Sequence, residues 1–532
     1  FFLSQMLFFV VGVVIFCVVA YFLFRRLSSK RPRCPPEEEI KLRPSVELSN
    51  EATYDVVIVG AGISGICAAH ALIKSCPKKK YILLEQRTAI GGTWDLFRYP
   101  GIRSDSDMYT LGFTHKPWTK SHPIAQAAEI RNYIKGVAQD SDIDKNISYQ
   151  KELVSASYCT EKRQWTLTIQ NLETQQPMTL YCNFLEMCSG YYDYSNPYRP
   201  SFDGEETFKG EIIHPQKWNE DLDYKDKKIV IIGSGATAVT LLPNLTDKAE
   251  HVTMLQRSPT YIISLPQHNA MVVFLQNILP SSISYRLIRW QNILVAWLLF
   301  VVCRAFPKFS AKLLVKAVKK QLPSDFDYEK HFRPHYNPWE QRLCLSPDGD
   351  IFKAIRAGKA SVETEHIDRF VENGILLKNG NTLEADIIIT ATGLNVRLFG
   401  GASVFVDGEQ IKFNEKYLYR GMMLNNVPNL IYYGGYTNAS WTLKCEMTAG
   451  WSGRLLAHME KTGTKQCFPY LAADHGMKDK PMLNLNSGYL LRAKKELPRL
   501  GDSGPWSTYN FLPDLWDFTT GKANDGIMKF EQ

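Results

Sequence analysis

Two glycine-rich turns mark where this chain can hold nucleotides. Gly60-Ala-Gly-Ile-Ser-Gly65 follows the apolar run Asp55-Val-Val-Ile-Val59, and Gly233-Ser-Gly-Ala-Thr-Ala238 follows Ile229-Val-Ile-Ile232. In such a turn the first glycine makes the bend and the second lets backbone approach a pyrophosphate. The third small residue lets helix and strand pack closely. The phosphates then rest on the helix N-terminus, where unpaired N–H groups and the helix dipole favour anions. A lone G-x-G-x-x-G is weak; a strand before it, a helix after it and a placed acid make it specific. Two such turns predict two nucleotides near each other, as electron transfer between a nicotinamide and a flavin requires.

The residue that closes the second strand separates the two turns. Glu85 stands where an acid takes a ribose 2′-hydroxyl, whereas Arg257, followed by Ser258, stands at the equivalent place in the second unit. A carboxylate repels a 2′-phosphate, and a guanidinium grips it bidentately. The first site should therefore take FAD and the second NADPH. A solvated loop arginine is the plainer reading of Arg257.

These turns need elements to hold them. Tyr54 to Glu85 reads as strand, turn, apolar helix and strand, and Lys228 to Gln256 repeats the order. Alternation in Leu153–Tyr158 and Trp165–Ile169 predicts a β-meander, and Phe184–Gly190 and Asp386–Gly393 predict buried strands ending in glycine. Pro266 to Pro323 is helical and basic, with an apolar centre at Ile293 to Cys303 that is too short to span a bilayer. It reads as a core-packed insertion or as a surface-lying membrane contact.

The stretch Gly91-Gly-Thr-Trp-Asp-Leu-Phe-Arg-Tyr-Pro-Gly-Ile-Arg-Ser-Asp105 resembles the G-G-x-W…Y-P-G-x-x-x-D signature of class B flavoprotein monooxygenases. Phe208-Lys-Gly-Glu-Ile-Ile-His-Pro-Gln-Lys-Trp218 resembles their F-x-G-x-x-x-H-x-x-x-W fingerprint, whose tryptophan form belongs to the Baeyer–Villiger branch. Asn219 departs from the Pro or Asp usual after it. The resemblance covers about residues 53 to 520. It implies that NADPH reduces the flavin and that the reduced flavin binds O₂ as a C4a-peroxide. Oxygen is then inserted beside ketone carbonyls, and sulfur compounds are oxidised. Heteroatom oxygenation without ketone insertion is the alternative.

The same resemblance assigns the residues. Arg342, in Asn337-Pro-Trp-Glu-Gln-Arg342, would stabilise negative charge, and Asp105 would position it and touch both cofactors. Gly60, Gly62, Ser64, Gly65, Glu85, Thr93, Trp94 and the backbone at Val154 would contact FAD. Arg103, Ser104, Gly233, Ser234, Gly235, Ala236, Thr237, Ala238, Val239, Thr240, Arg257 and Ser258 would contact NADPH. His214 and Trp218 mark an interdomain linker.

At 532 residues there is room for two or three domains. The expectation is an α/β chain of two Rossmann-like dinucleotide-binding domains. FAD binding occupies 53–198 and returns at 382–532; NADPH binding occupies 199–381, with a helical insertion at about 266–345. The net charge of +8 is dispersed and shows no aromatic-studded basic stripe, which argues against nucleic acid. The eleven cysteines have no C-x-x-C pair, so neither a metal site nor a disulfide reductase is expected. Met6 to Phe24 is uncharged and apolar, about 28 Å long as a helix, and Arg25, Arg26, Lys30, Arg31 and Arg33 follow it. That pattern predicts a single transmembrane anchor over 1–24, a tether over 25–52 and a cytosolic catalytic body. A cleaved secretory signal is the competing reading.

Overall fold

The computed structural model describes residues 39–483, 485–507 and 511–532. The anchor expected over 1–24 lies outside them, as does the tether as far as residue 38. From Glu39 onward the tether expectation is corrected. Ile40 N–H donates to Asn132, Val46 N–H to Ile147 O, and Arg43 pairs with Asp142 and Asp144. Those contacts lay residues 39–51 against the first domain.

Strand β1 (Ala52–Val59), helix α1 (Ile63–Ser75) and strand β2 (Tyr81–Leu84) form the first βαβ unit, with Val57 opposite Ile82 in parallel register. Both strands are covered on two faces, so they read as continuous apolar runs. The meander follows as β3 (Lys151–Cys159), β4 (Gln164–Asn171) and β5 (Pro177–Met187). Trp165, Leu167 and Ile169 point inward from β4 while Thr166 and Thr168 are exposed, the period of two seen in the sequence. β5 closes the sheet by pairing in parallel with β1.

Near the end of β5, Glu186 is fully enclosed, accepting hydrogen bonds from Ser452 and from Tyr433 at 3.4 Å. Burial pushes its pKa up to about 7. The folded chain thus binds one more proton than the unfolded chain between the ordinary glutamate range and about 7. Stability should fall as pH rises through that window and level off above it, by at most roughly 3 kcal/mol. Glu186→Gln should flatten this slope and be the more stable form at pH 8. Denaturant midpoints at pH 5.5 and 8 measure it; parallel changes in both proteins would clear Glu186 as the cause.

The second unit is built from β6 (Glu211–Ile213), β7 (Lys228–Ile232), α2 (Ala236–Leu245) and β8 (His251–Gln256). After β8 come α3 (Ala270–Ile278), α4 (Ser281–Ala305) and α5 (Pro307–Lys319), the expected helical insertion. Strands β9 (Ala360–Thr364) and β10 (Ile387–Thr390) complete a five-stranded parallel sheet in the order β9-β8-β7-β10-β6. The expected boundary at 381 is therefore corrected. β10 sits between β7 and β6 and bonds both, so the second domain extends past Thr390. The chain then returns: β11 (Ser403–Val406) pairs with β3, β12 (Leu430–Tyr432) pairs with β5, and α6 (Trp441–Thr462) packs on α1. Helix α7 (Phe511–Thr520) packs against α6.

Candidate active site

Both glycine turns open into one cavity of ≈ 320 Å³. Gly62 and Gly235 stand just before helices α1 and α2, and neither N-terminus is capped by a side chain. Their leading N–H groups are left for an anion. At the first turn a Cβ on Gly65 would lie 1.8 Å from Gly60 O, so only glycine lets α1 sit this close to the turn. At Gly235 a Cβ would meet nothing within 4 Å, so the absent side chain leaves open space there. Gly233 bends the second turn at φ +136°.

The cavity wall includes Gly60, Gly62, Ser64, Glu85, Thr93 and Trp94 from the first unit, then Arg103, Ser104 and Asp105, then Ala236, Thr237 and Thr240 from α2, and Arg342. Gly65, Ala238 and Val239 are buried behind it in helix–strand packing. Arg257 and Ser258 are exposed outside the wall, and Ser234 Oγ donates to Ser258 O at 3.0 Å, which ties that turn to Gly233–Gly235. On β3 the wall comprises Lys151, Glu152 and Leu153; the Val154 side chain is 47% exposed and lies outside it.

Glu85 is buried with its oxygens fixed. Ala61 N–H donates to Oε2 at 2.7 Å and Arg87 N–H to Oε1 at 2.8 Å, which leaves each oxygen a further lone pair. The loop that carries Arg103 stitches the two domains. Tyr99 hydrogen-bonds Thr237, and Arg103 Nη1 donates to Asp350 at 2.6 Å, while Arg103 Nε is buried without a protein partner.

Asp105 and Arg342 face the same space. Burial raises the pKa of the Asp105 carboxyl, and Arg342 and Arg103 pull it back. Burial opposes the charge on Arg342, yet Tyr191, Tyr192, Tyr489 and Asp105 around it outweigh that and raise its pKa. Tyr191 and Tyr489 are themselves pushed up by burial. His214 accepts from Gln216 N–H at 3.1 Å through Nδ1, a contact that shapes the linker turn.

Sequence reasoning missed an aromatic wall. Tyr191 stacks on Trp441 with ring centroids 5.2 Å apart and bonds Tyr192 at 2.9 Å; Trp441 Nε1 donates to Ser64 Oγ at 3.0 Å. Tyr194 meets Thr93 at 3.3 Å. A signal was present in Tyr191-Tyr192-Asp193-Tyr194, directly after Gly190, three residues past the end of β5. Trp441 and Tyr489 come from the returning chain, and no local pattern points to them. The assembly can seat anions at two helix ends, hold flat rings against aromatic faces, and keep a permanent cation in a partly desolvated pocket.

Comparison with known proteins agrees with this geometry. A family model described as flavin-binding monooxygenase-like matches residues 53–461. The FAD-containing monooxygenase EthA of Mycobacterium tuberculosis is 48% identical over 90% of this chain and 97% of its own length. The probable FAD-binding monooxygenase AlmA of an Acinetobacter species is 44% identical over 91% and 97%. Among solved structures, a steroid monooxygenase bound to NADP matches with a TM-score of 0.73 at 19% identity, covering 90% of this chain and all of the other. A cyclohexanone monooxygenase matches at 0.66 and 19% identity, covering 79% and 90%. At that identity the two structures establish the fold.

Proposed function

The chain belongs to the flavin-binding monooxygenase-like family, and on that premise we propose that it is an FAD-dependent monooxygenase using NADPH and O₂. Its reactions would be oxygen insertion beside ketone carbonyls, the Baeyer–Villiger reaction, and oxidation of sulfur compounds. One observation carries the reading: two uncapped helix N-termini and the Arg342–Asp105 pair line a single cavity. The residues present fit two dinucleotides. Besides the free helix ends, Ser189 Oγ and Arg103 Nε in the wall are buried with no protein partner.

FAD would be held by Gly60, Gly62, Ser64, Glu85, Thr93 and Trp94, and NADPH by Arg103, the turn Gly233–Thr240, Arg257 and Ser258. Bound flavin, reduced by NADPH, supplies the activation of O₂. The protein's part is positioning, exclusion of water and charge stabilisation. Tyr191 and Trp441 wall the cavity with rings. Arg342 holds a charge that cannot be lost at working pH, suited to oxygen anions on reagent and substrate. Asp105 is a positioning group for that guanidinium.

The test is product analysis on one ketone and one sulfide with the yellow, purified enzyme. Ester and sulfoxide are both expected. Sulfoxide without ester leaves only heteroatom oxygenation, and NADPH consumption with neither product overturns the proposal.

Nucleotide choice has its own check. Arg257→Ala should weaken NADPH about 10- to 100-fold, the worth of a charge-assisted hydrogen bond, and leave NADH nearly unchanged. Steady-state KM values for the two cofactors measure this; equal losses would remove the 2′-phosphate contact. We further propose that Met6 to Phe24 anchors the chain in a membrane with the catalytic body on the cytosolic side. Absence of label on that run from a membrane-confined reagent would defeat it.

A further inference from the structure

The helical insertion exposes an apolar surface that the reaction does not use. Helix α4 is apolar along most of its length. Tyr285, Ile288 and Ile293 are buried, while Ile283, Leu287 and Trp290 share an exposed face near its start and Val295 and Leu299 are exposed further along. A helix that is apolar all round is ordinarily enclosed, yet only 22% of the most apolar stretch of α4 is buried. Helix α5 continues the surface from its cap, with Phe306 63% and Phe309 59% exposed and Leu313 beside them; α3, which packs on α4, adds Val273 and Ile278.

The charge around this surface has one sign. From His251 to Ser324 the chain contains no Asp or Glu. Arg289 points inward to Glu446 at 2.6 Å. Arg286, Arg304, Lys308, Lys312, Lys316, Lys319 and Lys320 are all exposed, and among the described residues none of them pairs with a carboxylate. Phe309 and Leu313 alternate with Lys308, Lys312 and Lys316, so long aliphatic stems can lie along apolar surface while the ammonium groups stand clear.

We propose that α3, α4 and α5 form a docking surface for an anionic phospholipid bilayer, separate from the N-terminal run. Trp290, Phe306 and Phe309 would enter the headgroup boundary, and the seven cations would meet lipid phosphates and carboxylates. The helix lies on the membrane and does not cross it. Its inner face is fastened to the first domain, where Arg289 Nη1 donates to Tyr109 O at 2.7 Å and Tyr285 OH to Phe113 O at 3.2 Å. A second copy of the chain fits poorly, because the patch would set like charges against like. The uncharged run Met6 to Phe24, folded back as a cover, would leave the seven cations unmatched.

The test uses the full chain with vesicles that carry a photoactivatable group on the acyl chain, followed by mapping of labelled peptides. Peptides spanning 273–313 should take up about five-fold or more label on vesicles with roughly one-third phosphatidylserine than on pure phosphatidylcholine. High salt should abolish the difference. The variant K308E/K312E/K316E/K320E should lose it too while keeping its flavin and its NADPH turnover, which shows that it is folded. No label on 273–313, whether or not 6–24 is labelled, overturns the proposal and points to a cover by the N-terminal run or a second copy. Equal label on both vesicle types, unmoved by the four reversals, overturns the anionic partner.

Discussion

Arg342→Ala is expected to stay yellow and to consume NADPH while forming product at least about 10²-fold more slowly, the loss seen when one preorganised charge stabiliser is removed. The residue is far from the first glycine turn in sequence and stands in the cavity through its own loop, so FAD retention should not depend on it. Its guanidinium lines the cavity together with Asp105, Tyr191 and Tyr192, a site where burial alone would discourage a charge. Keeping a cation there is useful only if negative charge develops beside it. Arg342→Lys should recover a small part of the rate, because an ammonium keeps the charge without the planar fork. Asp105→Asn should lower product formation less than Arg342→Ala, since the arginine remains charged but loses the carboxyl group that shares its cavity. Single-turnover experiments separate the steps: NADPH reduction in the absence of air, then product after air is admitted. A variant that makes product at the normal rate would remove Arg342 from the chemistry, and one that fails at reduction would move it to nicotinamide placement.

Much of the scaffold around that residue was legible because parallel strands leave a plain mark. β1, β2 and β7 are buried on both faces, so each carries an unbroken apolar run before a glycine turn or a charged stop. Glu85 against Arg257 was legible for the same reason: each lies at or just past the end of a strand whose end is clear. Sheet membership was not. β10 looks like any buried strand, and only its hydrogen bonds to β6 and β7 place it in the second sheet. On β3 the register shifts between Leu153 and Ser155, so a count along the strand does not tell which of Leu153 and Val154 faces the cavity. The aromatic wall combines Tyr191 with Trp441, which are distant in sequence and meet only because β5 and α6 converge. Helix α4 shows a related limit. Its composition announced an apolar helix, but which side is covered depends on Glu446 and Tyr109, contributed by other parts of the chain.

Two glycines at different places in their turns should fail in different ways. Gly65→Ala places a methyl 1.8 Å from Gly60 O, a backbone atom that cannot rotate aside, so α1 must part from the turn that would cradle FAD. Overpacking of this kind commonly costs about 1–3 kcal/mol and more where backbone must move. The purified variant should be colourless or should not accumulate. Gly235→Ala meets no such obstacle. Its φ of −78° and ψ of −177° suit any residue, and nothing lies within 4 Å of the new methyl. That protein should fold, bind FAD at full occupancy and resist heat as the parent does. Its defect should be confined to NADPH, with KM raised about ten-fold or more, because the methyl fills the space through which backbone would approach the pyrophosphate. Flavin absorbance per mole and the KM for NADPH read the two outcomes independently. A fully yellow Gly65→Ala protein would show that α1 need not sit against the turn. An unchanged KM in Gly235→Ala would show that the nicotinamide phosphates rest somewhere other than the start of α2.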